Sequence, residues 1–182
     1  MMRAHPTSNV RPNCTSMTTL VPMSQAAFVE FQRSAIEGYA SQNVASGRWP
    51  PESALELSQA EFQRLLPEGQ ATKNAYLFEI FDSETNSAVG SLWIAVQSAT
   101  GTPRGYVYNV EISEKHRGKG HAKRAFEALE PFCRKLGVTT IGLHVFAFNT
   151  PARKLYEALG YEVTSINMQK SLGDNGMTRE LQ

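Results

Sequence analysis

Little in this chain points to disulfide, metal or membrane chemistry. It holds two cysteines in 182 residues. Cys14 and Cys133 lie far apart and in different contexts, so neither a disulfide framework nor a metal-ligand spacing is present. Cys133 falls on the apolar face of a helical pattern and reads as core. A reducing cytoplasm is the expected compartment. No apolar run approaches the roughly 20 residues of a membrane-spanning helix. The formal net charge is +1, which excludes nucleic-acid binding through bulk charge. Residues from Met1 to Pro22 are rich in Pro, Thr, Ser and Asn and lack an apolar stretch long enough for a secretory signal. Residues 1–17 are therefore expected to form a disordered tail, with Met17 as an alternative start. Residues 18–182 read as one domain, long enough to bury a core.

What is there is a short basic, Gly-rich loop, His116-Arg117-Gly118-Lys119-Gly120-His121-Ala122. It follows an apolar run from Tyr106 to Ile112 that reads as a strand. It precedes a helix in which Ala122, Ala125, Phe126, Leu129, Cys133 and Leu136 share one face. A Gly-rich turn at a helix N-terminus holds phosphate well. The glycines allow close approach, the amides converge, and the helix dipole favours negative charge. Arg117 and Lys119 add full positive charge. The loop is not a P-loop, because Gly120 follows Lys119 where a magnesium-binding hydroxyl is needed. Nor is it a dinucleotide fingerprint, because Lys123 stands where the third glycine belongs.

A second block, Asn149-Thr150-Pro151-Ala152-Arg153-Lys154-Leu155-Tyr156-Glu157-Ala158-Leu159-Gly160-Tyr161, has coherent local physics. Thr150 is the expected N-cap, Pro151 suits the first helical position, and Gly160 suits the left-handed residue after the last turn. Taken together, Arg-x-x-Gly-x-Ala over Arg117, Gly120 and Ala122, and Asn-x-x-Ala-x-x-Leu-Tyr-x-x-x-Gly-Tyr over 149–161, resemble the two hallmark motifs of the GNAT superfamily of N-acetyltransferases. The resemblance runs from Leu77 to the C-terminus. In spacing it is closest to the ribosomal-protein alanine acetyltransferase branch.

That resemblance implies acetyl-CoA as co-substrate, no metal, and transfer of the acetyl group to a primary amine, small molecule or peptide. The family's members are often homodimers. By position, the loop from Arg117 through Gly118, Lys119, Gly120 and His121 to Ala122 would hold the pyrophosphate. Backbone groups of Val110 and Ile112 would pair with the pantetheine arm, and Asn149 would bond it. Tyr156 would protonate the departing thiolate. An amine of pKa about 10.4 needs help to lose its proton. His144 stands where the alanine acetyltransferase branch carries a glutamate base, and a neutral imidazole can take that role. Glu111, on the opposite face of its strand from Val110 and Ile112, is the second base, and water the third. Tyr39 and Trp49 would line the acceptor side, with Arg48 in the same region and Trp49-Pro50-Pro51 as a lid. A catalytically silent acyl-CoA-binding module is the alternative reading.

The remaining pattern predicts helices over Gln25–Ala45 and Glu52–Leu66. Strands are expected over Thr19–Pro22, Tyr76–Phe81, Ala88–Val96, Tyr106–Ile112 and Thr139–Phe146, with a last one over Tyr161–Lys170. The order is β-α-α-β-β-β-α-β-α-β, an α/β class with a mixed sheet. Pro131 inside the long helix predicts a kink.

Overall fold

The computed structural model describes residues 18–98 and 101–170; the expected tail over 1–17, with Cys14, lies outside them. The elements are β1 (Thr18–Pro22), α1 (Gln25–Ala45), α2 (Ala54–Leu65), β2 (Ala75–Asp82), β3 (Ser87–Gln97), β4 (Arg104–Ile112), α3 (His121–Lys135), β5 (Thr140–Leu143) and α4 (Thr150–Ala158). They form one five-stranded sheet in the order β1-β2-β3-β4-β5. Neighbours are antiparallel up to β4, and β4 and β5 run parallel. A parallel pair needs a long crossover, and α3 supplies it.

Strand alternation sends successive side chains to opposite faces, and each face has its own core. On one face α1 and α2 bring Phe28, Phe31, Ala35, Phe62 and Leu66 onto Leu77 and Trp93. On the other, Ala125, Phe126, Leu129 and Cys133 of α3 and Tyr156 of α4 pack on Ile80, Leu92, Ile94 and Val107. Helix α1 starts where Ser24 accepts the Ala27 amide with its side chain, at 3.2 Å. Helix α3 runs unbroken through Pro131. Pro131 and Glu127, whose carbonyl the ring displaces, both lie on the exposed side, where water can serve that carbonyl.

One irregularity positions everything that follows. Along the β3–β4 ladder Leu92 pairs with Val110 and Trp93 with Asn109, but Ile94 pairs with Val107. Tyr108 is the extra residue of a β-bulge. Because the bulge spends two residues on one step, Val107, Val110 and Ile112 all pack towards the α3 core. Glu111 points the other way, to α1, as its position between Val110 and Ile112 predicts. The parallel ladder with β5 ends at Val107 and Leu143, one residue before the bulge. Beyond that point β4 and the chain after β5 part company.

Three expectations need correction. The strand expected to reach Phe146 stops at Leu143, because the bulge carries its partner away. No strand forms over Tyr161–Lys170. Val163, Ile166 and Met168 are exposed there at uneven spacing, so they present no alternating face. Gln169 donates instead to the Ser46 carbonyl at 3.2 Å, tying the segment to the α1–α2 connection. The cap of α4 is Asn149 rather than Thr150: its side chain accepts from the Ala152 amide at 3.3 Å. Asparagine is the stronger capping residue, and the cap leaves its Nδ2 free to donate.

Candidate active site

The basic loop is a cradle built from backbone. Gly118 and Gly120 adopt φ of 74° and 79°, the left-handed region that glycine enters without strain. Helix α3 has Gly120 at its N-cap and no side chain capping it. As a result, no amide from Gly118 to Lys123 meets an acceptor among the described residues. Consecutive free amides at a helix N-terminus, with exposed Lys119 and Lys123 beside them, fit a pyrophosphate. Arg117 departs from expectation. Its amide donates to the Glu114 carbonyl at 3.2 Å and its Nε to the Ile112 carbonyl at 3.0 Å. It pins the strand to the loop and contributes charge, but not a free amide.

Behind the cradle lies a polar support that the sequence motifs do not signal. His121 contributes its amide forward while its side chain turns inward, 5% exposed. Arg124 donates from Nη2 to the Lys119 carbonyl at 2.9 Å and from Nε to Thr18 Oγ1 at 2.8 Å. Its Nη2 also lies 3.2 Å from His121 Nδ1, and Thr18 Oγ1 lies 3.0 Å from that same nitrogen. Arginine only donates, so Nδ1 is the accepting nitrogen and the ring proton sits on Nε2. Burial first, and then the Arg124 charge, hold His121 below the usual histidine range. Strand β1 is thereby tied to the loop across the sequence.

Downstream of the bulge, β4 offers its free edge to the cleft. Gly90 of β3 sits opposite Ile112, and a Cβ there would stand 2.1 Å from the Glu111 carbonyl oxygen. Only glycine lets β4 lie where it does. On the far side of the cleft, Tyr156 projects from the inward face of α4, 9% exposed. Its ring meets Phe126 and Tyr161 edge-on or tilted, at 5.5 and 5.8 Å. Burial pushes its hydroxyl above the ordinary tyrosine range, so it carries its proton at neutral pH. A crevice of about 600 Å3 opens beside it between β5, the C-terminal half of α3 and residues 161–165, and neither β4 nor the basic loop lines it.

The two candidate bases share the α1/α2 side without touching. Glu111 accepts from Ser34 Oγ of α1 at 3.0 Å. His144, exposed, lies just past the end of β5 and meets Phe146 edge-on at 5.0 Å. Burial, and then the charge of Arg48, lower its pKa; Glu111 has no part in that shift. Tyr39 and Trp49 do come together, edge to face at 5.2 Å. Trp49 is half-buried rather than a free flap, because the Arg48 and Trp49 amides both donate to the Asn43 carbonyl. Cys133, 1% exposed, is core, and burial raises its thiol to about 11. Among the described residues, no group of three or more His, Cys, Asp and Glu is placed to hold a metal, and no helix is long and apolar enough to cross a membrane.

Comparison with known proteins agrees with this geometry. The profile of the Acetyltransferase (GNAT) family matches residues 41–161. The uncharacterized N-acetyltransferase YycN of Bacillus subtilis is 37% identical over 153 residues, which is 84% of this chain and 97% of YycN. The uncharacterized N-acetyltransferase YdgE of the same organism is 32% identical over 154 residues, 85% of this chain and 98% of its own length. The crystal structure of YycN superposes with a TM-score of 0.82 at 36% identity, covering 86% of this chain and 99% of that one. Cradle, bulge, cleft and sequence agree: the chain belongs to the GNAT family of acetyltransferases.

Proposed function

We propose that this protein transfers the acetyl group of acetyl-CoA to a primary amine by direct attack in the cleft between β4 and the end of β5. The observation that carries the reading is the run of free amides from Gly118 to Lys123, set at one end of a strand whose open edge leads towards Tyr156. When bound, the co-substrate supplies an activated thioester. The amides and Lys119 hold its pyrophosphate, the free edge at Val110 and Ile112 receives its extended arm, and Asn149 Nδ2 donates to that arm.

The spacing likeness to the ribosomal-protein alanine acetyltransferase branch supports His144 as the base. Its lowered pKa keeps the imidazole neutral at pH 7, so it can accept the ammonium proton directly or through water. Glu111, held by Ser34, orients the incoming ammonium. As the amine nitrogen forms its bond to the acetyl carbon, the C–S bond breaks and the Tyr156 hydroxyl gives its proton to sulphur; the proton that the acylated nitrogen then sheds returns Tyr156 to its neutral form. A cytoplasmic setting completes the reading, since CoA thioesters are soluble metabolites and Cys133 is a free thiol.

The experiment has two arms. In thermal-shift titrations, acetyl-CoA and CoA at a hundred times Kd stabilise the fold by about 2.7 kcal/mol, roughly 5–10 °C in Tm, and ATP does not. Tyr156→Phe then keeps the acetyl-CoA shift and loses at least about 100-fold in kcat. Absence of any CoA shift overturns the reading; a shift without turnover of any amine points to a silent binding module.

A further inference from the structure

The polar group behind the cradle fixes which way one of its peptides faces. The peptide between Lys119 and Gly120 is trans, so its carbonyl and its amide point in opposite directions. Arg124 Nη2 donates to the Lys119 carbonyl at 2.9 Å. It does so from beneath Gly120, where a Cβ would stand 2.8 Å from Arg124 Nη1. With the carbonyl drawn towards Arg124, the Gly120 amide is turned away from it, into the cradle. Arg124 can reach back this far because it lies in the first turn of α3, its own amide donating to the Gly120 carbonyl at 3.1 Å. Side chains on a helix lean towards its N-terminus.

An arginine side chain has much rotamer freedom to lose, so how firmly it holds that carbonyl depends on how firmly it is itself held. Its second anchor comes from β1. Thr18, 1% exposed, accepts from Arg124 Nε at Oγ1, 2.8 Å away. The same oxygen lies 3.0 Å from His121 Nδ1; because that nitrogen is the accepting one, the Thr18 hydroxyl donates to it. Arg124 Nη2 lies 3.2 Å from it as well. The guanidinium is therefore clamped along its fork by a hydroxyl, a ring nitrogen and a main-chain carbonyl. The strand that delivers the hydroxyl is five residues long and stands at the edge of the sheet, with β2 as its neighbour. Short edge strands open locally at lower free energy than central ones.

We infer that Thr18 is a positioning residue for the co-substrate: through Arg124 it sets the Lys119–Gly120 peptide, so that docking of β1 and binding of CoA favour one another. This rests on the acetyltransferase reading above. Thr18 is buried and touches no part of the co-substrate. Its effect passes through the guanidinium to a single amide of the cradle. Coupling of this kind is reciprocal: whatever loosens β1 weakens CoA binding, and bound CoA holds β1 in place.

Calorimetric titration with CoA tests this without any acceptor. Thr18→Val keeps the size of the side chain and removes both hydroxyl bonds, so CoA affinity should fall about three- to tenfold. Thr18→Ser, which restores the hydroxyl, should bind within about twofold of the parent. Added to Arg124→Ala, Thr18→Val should cost less than about twofold more, because Thr18 acts through Arg124. Urea midpoints read the folding of each variant separately. The parent supplies a measurement of its own: saturating CoA should slow hydrogen exchange at the amides of residues 18–21 by about fivefold or more, and in Thr18→Val by less than about twofold. Should Thr18→Val not fold, exchange in the parent and the affinity of Thr18→Ser decide. Equal CoA affinity in the parent and Thr18→Val overturns the inference. So does failure of Thr18→Ser to match the parent, a full further loss in the double variant, or exchange in β1 that CoA leaves unchanged. A parent that binds no CoA overturns the acetyltransferase reading instead.

Discussion

The two ends of the cleft are built from different materials. At the end proposed for the phosphates the groups presented are main-chain amides from Gly118 to Lys123, and side chains support them from behind, as Arg124 does. At the end proposed for the acceptor the groups presented are side chains from α1, from the connection after it, from β4 and from the chain after β5. A backbone cradle depends on φ angles and on where glycines fall, so it tolerates little and changes little. A side-chain basin can be rewritten one residue at a time without moving the fold. On the proposed reading, one end fixes the reagent and the other is where acceptors are told apart.

That contrast can be broken from either side. The largest effect is expected from Gly120→Glu. Gly120 has φ of 79°, a Cβ would stand 2.8 Å from Arg124 Nη1, and a carboxylate would face the phosphates. Calorimetry should find CoA binding weakened by at least about 100-fold, some 2.7 kcal/mol or more, with folding retained. Next comes His144→Gln, which should cost about 100-fold in kcat/KM for the amine and leave the acetyl-CoA affinity alone. In the parent, activity should rise with pH through a limb centred below 6.5, because His144 is displaced downward and only the neutral ring accepts a proton. The variant should lack that limb, and a limb that survives would move the role to Glu111 or water.

Arg124→Ala tests the support of the cradle. It removes the ties to the Lys119 carbonyl and to Thr18, so the KM for acetyl-CoA should rise by roughly tenfold, with kcat and the acceptor KM nearly unchanged. Gly90→Ala brings a methyl to 2.1 Å from the Glu111 oxygen. Overpacking against a strand costs about 1–3 kcal/mol, which urea unfolding would register.

The smallest effect is on acid stability. His121 is displaced downward in the folded state by burial and then by Arg124. Its neutral form is the one that folding favours, so its contribution is present above the unfolded value of about 6.5 and is lost as pH falls from there through the folded value. His121→Asn should flatten the fall of Tm over that interval.

The structure of the basic loop was legible because its signal is local. A strand, two glycines and a helix start stand within a few residues, and α1 begins and ends where its apolar spacing says. The inward placement of Tyr156 was legible for the same reason, on the face that Ala152, Leu155 and Leu159 define. What escaped was set by partners distant in sequence. Thr18 and Arg124 are separated by 106 positions, and nothing near either announces the other. The early end of β5 at Leu143 follows from a bulge in its neighbour. The reach of residues 161–170 towards Ser46 depends on a tertiary hydrogen bond. Asn149 could have been read as the cap from its chemistry alone, and Gly90 as a point of close backbone approach.

The bulge at Tyr108 has one more implication, which is a matter of parity. Tyr108 and Asn109 occupy a single step of the ladder, so every later side chain keeps the face it would have in a strand one residue shorter. Removing that residue would leave Val110, Glu111 and Ile112 on their present sides while letting β4 run straight beside the chain after Leu143. The opening of this enzyme is thus separable from the packing of its core, and a single position in the count of the chain decides whether the sheet closes.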